Sequence, residues 1–598
     1  MKNKLLILFI ASALIWTGCS DLLSPADQNN STLDRVYEDA AFAEGLLLNG
    51  YIKLPTGGYS LNDVATDDAV TNVKSAQDDN PRNVKTYNYL QMATGSWSSI
   101  NNPVDAWTNS FGTIQYLNSI LAESDSVKWA LTGQNVRAMF NDRMKGEAYG
   151  LRALFMYYLL QAHGGWSTDN KLLGVPILTA PQDSKSNFKL PRNTFEECVQ
   201  QIYSDLNTAE SYLPLDFEDI TSASQIPAKY ANLTNVSDYN RVFGAYNRER
   251  MTARIVKAIR AQVSLLAASP AFSQGTTTTW ANAADNAAAV LDLKGGISGM
   301  AANGAYWYAK KNSSEINGLS NGVNPPEILW RSNTNGNSNN LEKDNYPPTL
   351  FGYGTVNPTQ NLVDAFPMAN GYPIADPNSN YDATNPYANR DPRLAMYIVV
   401  NGSTEGPGSS TIYTQVGKTS DGLNAISTST RTGYYMRKLL REDVNLNPNN
   451  STGQTHYVPR IRYTEIFLDY AEAANEAWGP DGKGTHAYSA RDVIAAIRKR
   501  AGITQPDNYL ASVSTTADMR TLIHNERRLE LCFEGFRFWD LRRWKDNIKA
   551  DALGVTIDVS GNFSYGTVEP RAYSDYMYYG PLPYTEVARW GLTQNAGW

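Results

Sequence analysis

The chain has 598 residues, of which 42% are hydrophobic and 19% charged; this describes a globular protein too long for one ordinary domain core. Its formal net charge is −7, and −9 without the first eighteen residues, which hold Lys2 and Lys4 and no acid. An acidic chain repels phosphate backbones, so nucleic acid is not expected as a partner.

Residues 1–18 (MKNKLLILFIASALIWTG) join two lysines to an apolar run from Leu5 to Trp16. The run is shorter than the roughly 20 residues a membrane-spanning helix needs and fits a secretory signal. Thr17 and Gly18 then meet Cys19, an order that resembles a bacterial lipobox, in which the thiol takes a diacylglyceryl group and becomes the mature N-terminus. Residues 19–32 are polar and read as a lipidated, flexible tether. Asp21 resembles the acidic export signal of surface lipoproteins in the Bacteroidetes group.

Amphipathic patterns follow in order. A helix is predicted from about Arg137 to Gln161, ending at Gly164-Gly165 with a left-handed glycine cap. Gly146 and Gly150, four apart within it, read as a site of close helix packing. Thr194-Phe195-Glu196-Glu197 reads as a capping box opening a second helix that ends near Leu213-Pro214. A third is predicted over Arg248–Ala268, stopped by Ser269-Pro270, and a fourth over Trp280–Lys294 before Gly295-Gly296. Residues 296–460 lose helical periodicity and are rich in Asn, Gly, Pro, Ser and Tyr, the composition of short strands and long loops where a binding surface sits. Helices return at 463–478 and 487–501, a pair of the kind that stacks into a tetratricopeptide-like solenoid, although no strict repeat period is present. The fold class expected is therefore mainly α, a tetratricopeptide-like helical scaffold with a loop-rich half carrying short strands. It divides into a helical region 33–295 and a second region 296–598, itself loop-rich over 296–460, helical over 461–545 and a tail over 546–598.

Familiar catalytic constellations do not occur. The four histidines (His163, His456, His486, His524) show no metal-ligand spacing, and there is no nucleophile elbow, Walker loop or HExxH. Cys198 and Cys532 fall in helical patterns and read as small buried hydrophobes. No cofactor is expected. DPNSNYD (376–382) imitates the start of a calcium loop but lacks its Gly and its closing Glu, so it reads as a polar turn, with a looser Ca²⁺ site as the alternative.

The densest charge cluster is NERRLELCFEGFRFWDLRRW (525–544). Glu526, Glu530 and Glu534 stand four apart, on one helical face, among Arg527, Arg528, Arg537, Arg542 and Arg543. Carboxylates alternating with guanidiniums form bidentate pairs that keep acids ionised, so the cluster reads as a structural ion network and not as a glycosidase-like acid pair. Phe533, Phe536, Trp539 and Trp544 read as core.

This segment resembles the C-terminal signature of the SusD/RagB family. The resemblance continues, in order, in RMKGEAYGLRALFMYYLLQAHGG (143–165), LPRNTFEECVQQIYSDLNTAESYLP (190–214), RMTARIVKAIRAQVSLLAASP (250–270), NPYANRDPRLAMYI (385–398), YTEIFLDYAEAANEAW (463–478) and the closing PLPYTEV…LTQNAGW (581–598). Segment 220–250 has no counterpart in it. The resemblance implies a surface lipoprotein, anchored in the outer membrane by a lipid on Cys19, that captures a glycan and acts as a lid on a SusC-like TonB-dependent barrel. It implies binding without hydrolysis; peptide capture, a surface glycoside hydrolase and a purely structural scaffold are the alternatives.

For the ligand, a sugar ring needs an aromatic face and nearby amide or guanidinium donors. Trp97, on the loop ATGSWSSINNP (93–103), and Asn101 are one expected wall, in the loop that the family resemblance implies for ligand contact. Arg82 is an upstream charged donor, and Tyr306 and Trp307 of a Tyr-Trp-Tyr triplet form the opposite wall. Trp330, in EILW, reads equally well as part of a buried strand.

Overall fold

The computed structural model describes residues 39–598 apart from 56–59, 76–82, 132, 231, 233–234, 309, 312–313 and 317–318. Cys19, the tether and Arg82 therefore lie outside the described residues.

A run of amphipathic helices makes the scaffold: α1 (Ala40–Ile52), α2 (Trp107–Glu123), α3 (Gln134–His163), α4 (Phe195–Tyr212), α5 (Ala253–Ala268), α6 (Trp280–Leu291), α7 (Tyr463–Trp478), α8 (Ala490–Ala501), α9 (Thr516–Leu531) and α10 (Arg537–Trp544). Each packs on a neighbour, α1 on α2, α2 on α3, α3 on α4, α4 on α5, α5 on α6 and α6 on α7, with α8 and α9 closing on α7. This is solenoid-style stacking: no helix buries its apolar stripe alone. The glycines of α3 explain how closely the helices approach. A Cβ on Gly146 would come within 2.6 Å of Leu213, and one on Gly150 within 2.7 Å of Met251.

Most helix ends follow the local chemistry. Thr194 accepts from the Glu197 N–H while Glu197 returns a bond to the Thr194 backbone. Left-handed glycines close α8 (Gly502) and the 3₁₀ turn after α6 (Gly295). Two expectations need correction. Gly164 closes α3 in an extended conformation (φ −63°), not a left-handed one; glycine is required there because a Cβ would meet the Leu160 carbonyl at 2.6 Å and the Phe195 ring at 2.9 Å. Helix α5 begins at Ala253 rather than Arg248, because Thr252 is extended and caps the Ile255 N–H. Segment 220–250, unmatched by sequence, forms short 3₁₀ turns and the helix Val236–Phe243 laid on α3. Arg143 holds it by donating to the Val242 carbonyl and to Asn247, and Tyr230 by donating to Asp142.

The loop-rich half is sewn together by two-stranded antiparallel sheets: β1 (Ala69–Thr71) with β3 (Val356–Pro358), β2 (Ile328–Arg331) with β4 (Pro459–Arg462), and a tail hairpin of β5 (Ala552–Ile557) and β6 (Phe563–Glu569). Two large hydrophobic cores result among the described residues, and both draw on distant parts of the chain. The first joins the helices of 40–291 to α7, α8 and α9. The second joins residues 64–97 to the loop half, the turn after α9 and the tail.

Candidate functional site

The ion network is internal. Helix α9 ends at Leu531, and the chain turns through Phe533 (φ 64°) and Gly535 (φ 87°), so Glu534 leaves the helical face that Glu526 and Glu530 share. The three glutamates do not pair with the arginines beside them in sequence. Glu526 binds Arg393 (2.9 Å) and Arg498 (2.8 Å), Glu530 binds Arg393 (2.9 Å) and Arg500 (3.0 Å), and Glu534 binds Arg462 (2.8 Å) and Lys438 (2.7 Å). Arg527, Arg528, Arg537 and Arg543 instead serve Asp469 and Asp540, Asp67 and Asp68, and Glu472. Burial alone would raise the Glu530 carboxyl, but Arg500, Arg393, Arg462 and Lys438 together hold it below its ordinary value. Glu526 and Glu530 are fully buried, so no glycosidic oxygen reaches them.

Arg542 is the exception. It has no carboxylate partner among the described residues and lies over the rings of Phe538 (3.5 Å), Tyr573 (4.9 Å) and Trp97 (5.0 Å). Burial pulls it down to about 10, against the opposing pull of Tyr573.

That contact shows where Trp97 goes. Only 4% of it is exposed; its indole N–H donates to Asn102 Oδ1 at 2.9 Å, and its ring meets Phe538, Tyr573 and Trp598 edge-on. The expectation that a tryptophan on a Gly/Ser/Asn loop faces solvent is thus corrected: C-terminal rings cover it. Asn101 is half-buried and spends its side-chain N–H on the Ser96 carbonyl, closing the turn. Trp307 is fully buried against Tyr308 and Tyr457, which removes it from a ligand wall, while the adjacent Tyr306 stays 40% exposed. Trp97 and Trp307 pack against separate sets of rings and do not face each other across a groove. Trp330 is buried in β2, as the strand reading expects. Asp376 and Asp382 of the calcium-like segment accept bonds from Asn378 and Thr384 within their own turns.

An open aromatic patch lies elsewhere on the loop-rich half. Phe563 and Tyr565, two apart on β6, share one face of the tail hairpin. Tyr565 is 50% exposed and lies close to Tyr381; Phe563 meets Tyr387 edge-on at 6.0 Å. The Arg390 guanidinium sits 5.6 Å from the Tyr381 ring centre. It is anchored by the carbonyls of Pro386, Val363 and Phe366, with its Nε unpartnered. A chain of hydrogen bonds runs from Tyr387 to Tyr434, Gln360 and Asp364. Burial raises the half-buried Asp364 carboxyl, partly countered by Gln360 and Arg390. Two tyrosine faces beside a carboxyl and a guanidinium give C–H stacking and hydroxyl recognition together. The sequence signal for this patch was the surplus of 36 tyrosines; their spacing gave no hint of which ones would meet.

Comparisons with known proteins agree with the helical architecture. Residues 326–598 match the model of the SusD family, and residues 33–237 match a model described as starch-binding, associating with outer membrane. A SusD-like protein from Bacteroides fragilis is 21% identical, with 96% of this chain and 100% of that one covered and a TM-score of 0.69. A SusD-like carbohydrate-binding protein from the same species is 20% identical, covering 92% and 98%, with a TM-score of 0.65. SusD-like protein P2 of Formosa agariphila is 29% identical over 148 residues, 24% of this chain and 25% of that protein, so the match spans about a quarter of that curated relative. At these identities the structural likeness is one of fold. Among the described residues no helix is long and apolar enough to cross a membrane, and no group of three or more His, Cys, Asp or Glu is placed to hold a metal.

Proposed function

The chain belongs to the SusD-like family, and from that premise we propose that it is a lipid-anchored cell-surface protein that captures an oligosaccharide or polysaccharide and passes it to a SusC-like TonB-dependent transporter in the outer membrane. The observation that carries glycan capture is the open Tyr381–Tyr565 patch, with Asp364 and Arg390 beside it, on an otherwise loop-built face. An exposed tyrosine ring suits the C–H face of a sugar, and the neighbouring polar groups suit its hydroxyls.

A glycan array probed with the purified protein identifies the ligand, and calorimetry on Tyr565→Ala then tests the patch. Tyr565 is half exposed, so its loss should barely move the melting temperature. Affinity should fall by about 1–3 kcal/mol, the value of one stacked ring. Unchanged affinity would place the capture surface elsewhere.

Anchoring and hand-over rest on Cys19 and on the family relationship. Cys19→Ser is expected to release the protein from membranes and abolish labelling by a fatty-acid probe; retention at the wild-type level would refute lipidation. Confinement to the membrane raises the effective concentration for a membrane partner, so modest contacts suffice for a complex. Mild detergent extraction of the wild-type protein should therefore recover a barrel of higher mass, and repeated recovery of this chain alone would count against the hand-over.

A further inference from the structure

A cavity of about 150 Å³ lies between α3, α5, α7, β4 and the turn leading into α10, sharing no residue with the tyrosine patch. Roughly this volume encloses a bare six-carbon ring, so a hydroxylated one fits with its substituents reaching toward the open side. Tyr158, Gln161 and Trp539 at its edge are half-buried, so it opens to solvent. Rings line it: Tyr157 and Tyr158 from α3, Phe536 and Trp539 from the turn and α10.

Its polar groups have hydrogen-bonding capacity that the protein does not use. Asp469 is 1% exposed; its Oδ1 accepts from Arg527 at 2.6 Å, while its Oδ2 has no partner among the described residues. Arg460 lies over Trp330 and donates from Nη1 to the Arg331 carbonyl, leaving a buried Nε–H without an acceptor among them. The Tyr157 hydroxyl accepts from Gln161 at 3.3 Å, which leaves its own proton to donate. An orphaned buried acceptor and an orphaned buried donor each cost free energy until something pairs with them. The carboxylates, by contrast, are mostly paired: Asp469 faces Arg527, Asp540 faces Arg527 and Arg543, and Glu534 faces Arg462, while Arg460 has no carboxylate partner among the described residues. Among the described residues Glu465 has only Gln262 as hydrogen-bond partner; burial and the Asp469 charge hold its proton to higher pH.

We propose that this cavity is a second binding pocket, taking one neutral, hydroxyl-rich pyranose ring between the aromatic side chains, with Asp469, Arg460 and Tyr157 bonding its hydroxyls. The pocket stands on its own geometry and does not depend on the tyrosine patch.

Saturation-transfer NMR on the full chain, with the methyl pyranosides of glucose, galactose, mannose and xylose at millimolar concentration, tests it. At least one is expected to show transfer. Its affinity should fall about tenfold in Trp539→Ala, the loss of one stacked ring, fall in the volume-conserving Tyr157→Phe, and stay unchanged in Tyr565→Ala. Tyr157→Phe alone decides the matter if Trp539→Ala does not fold. The proposal is overturned if no pyranoside shows transfer, which would leave the cavity to water. It is equally overturned if Tyr157→Phe binds as wild type does, or if only Tyr565→Ala abolishes binding, which would assign the sugar to the outer patch.

Discussion

Replacing Glu530 with alanine should destabilise the protein by roughly 3–5 kcal/mol, the cost of breaking a buried ion pair by deleting one partner. Glu530 is fully buried and answers two guanidiniums, Arg393 and Arg500. Among the described residues its removal leaves Arg500 with Glu327, at 3.8 Å, as its one carboxylate, and takes one of the three carboxylates from around Arg393. Water cannot enter freely to compensate, because Arg393 is itself fully buried. The pair Glu476–Arg520, open to solvent on its arginine side, supplies the contrast. There Arg520 is 44% exposed, solvent screens the charges, and Glu476→Ala should cost about 1 kcal/mol or less. Denaturant unfolding of both variants checks the difference. Glycan affinity of the folded Glu530→Ala protein should equal that of wild type. Retained stability with lost binding would make the network a ligand site after all.

That network also shows what sequence could and could not reveal. The alternation of Glu and Arg over 525–544 announced ion pairing, but the partners of the glutamates come from the helix after Asp391, from β4, from α8 and from Lys438, and no local pattern reports contacts across such separations. Helix ends were legible where the cause is local: Thr194 with Glu197, or Gly502 after α8, acts within one turn. The scaffold's stacking was legible in the helix pairs and their small residues, and Gly146 and Gly150 do mark close approaches. Trp97 was misread because its cover, Tyr573 and Trp598, lies more than 470 residues downstream. The Tyr381–Tyr565 patch was missed for the same reason. It exists only where a loop of the irregular half meets a hairpin of the tail, and neither segment alone carries a binding signature. Sequence therefore located the loop-rich half and not the side chains that come together on it.

A graded row of carboxylates on α7 leads to the second large effect, a pH dependence. Glu465, Asp469 and Glu472 are all buried on one helix, and arginine support grows along them, from no ion pair among the described residues to one arginine to a two-pronged fork. Burial would raise Glu472, but the Arg543 fork at 2.5 and 2.7 Å pulls it down to about 2. Asp469 is raised by burial despite Arg527. Glu465 has no ion pair among the described residues; burial first, and then the Asp469 charge, raise it to about 8 from an ordinary 4.5, with Arg527 and Arg462 opposing only partly and Tyr157 and Tyr158 nearby adding no positive charge. The two ends of the row thus act in opposite directions. Glu472 contributes stability that is present above pH 4.5 and lost as pH falls toward 2. For Glu465, both folded and unfolded states hold the proton below 4.5, so it contributes nothing there. Between 4.5 and about 8 only the unfolded state releases the proton, and stability falls with rising pH. At about 1.4 kcal/mol per pK unit, the loss above pH 8 is on the order of several kcal/mol. Glu465→Gln keeps the bond from Gln262 and removes the titration. Its melting temperature should match wild type at pH 5, exceed it at pH 7 and exceed it most at pH 9. Parallel melting curves across that range would mean that Glu465 ionises in the folded protein as freely as in water, and that the carboxylate row carries no stored proton.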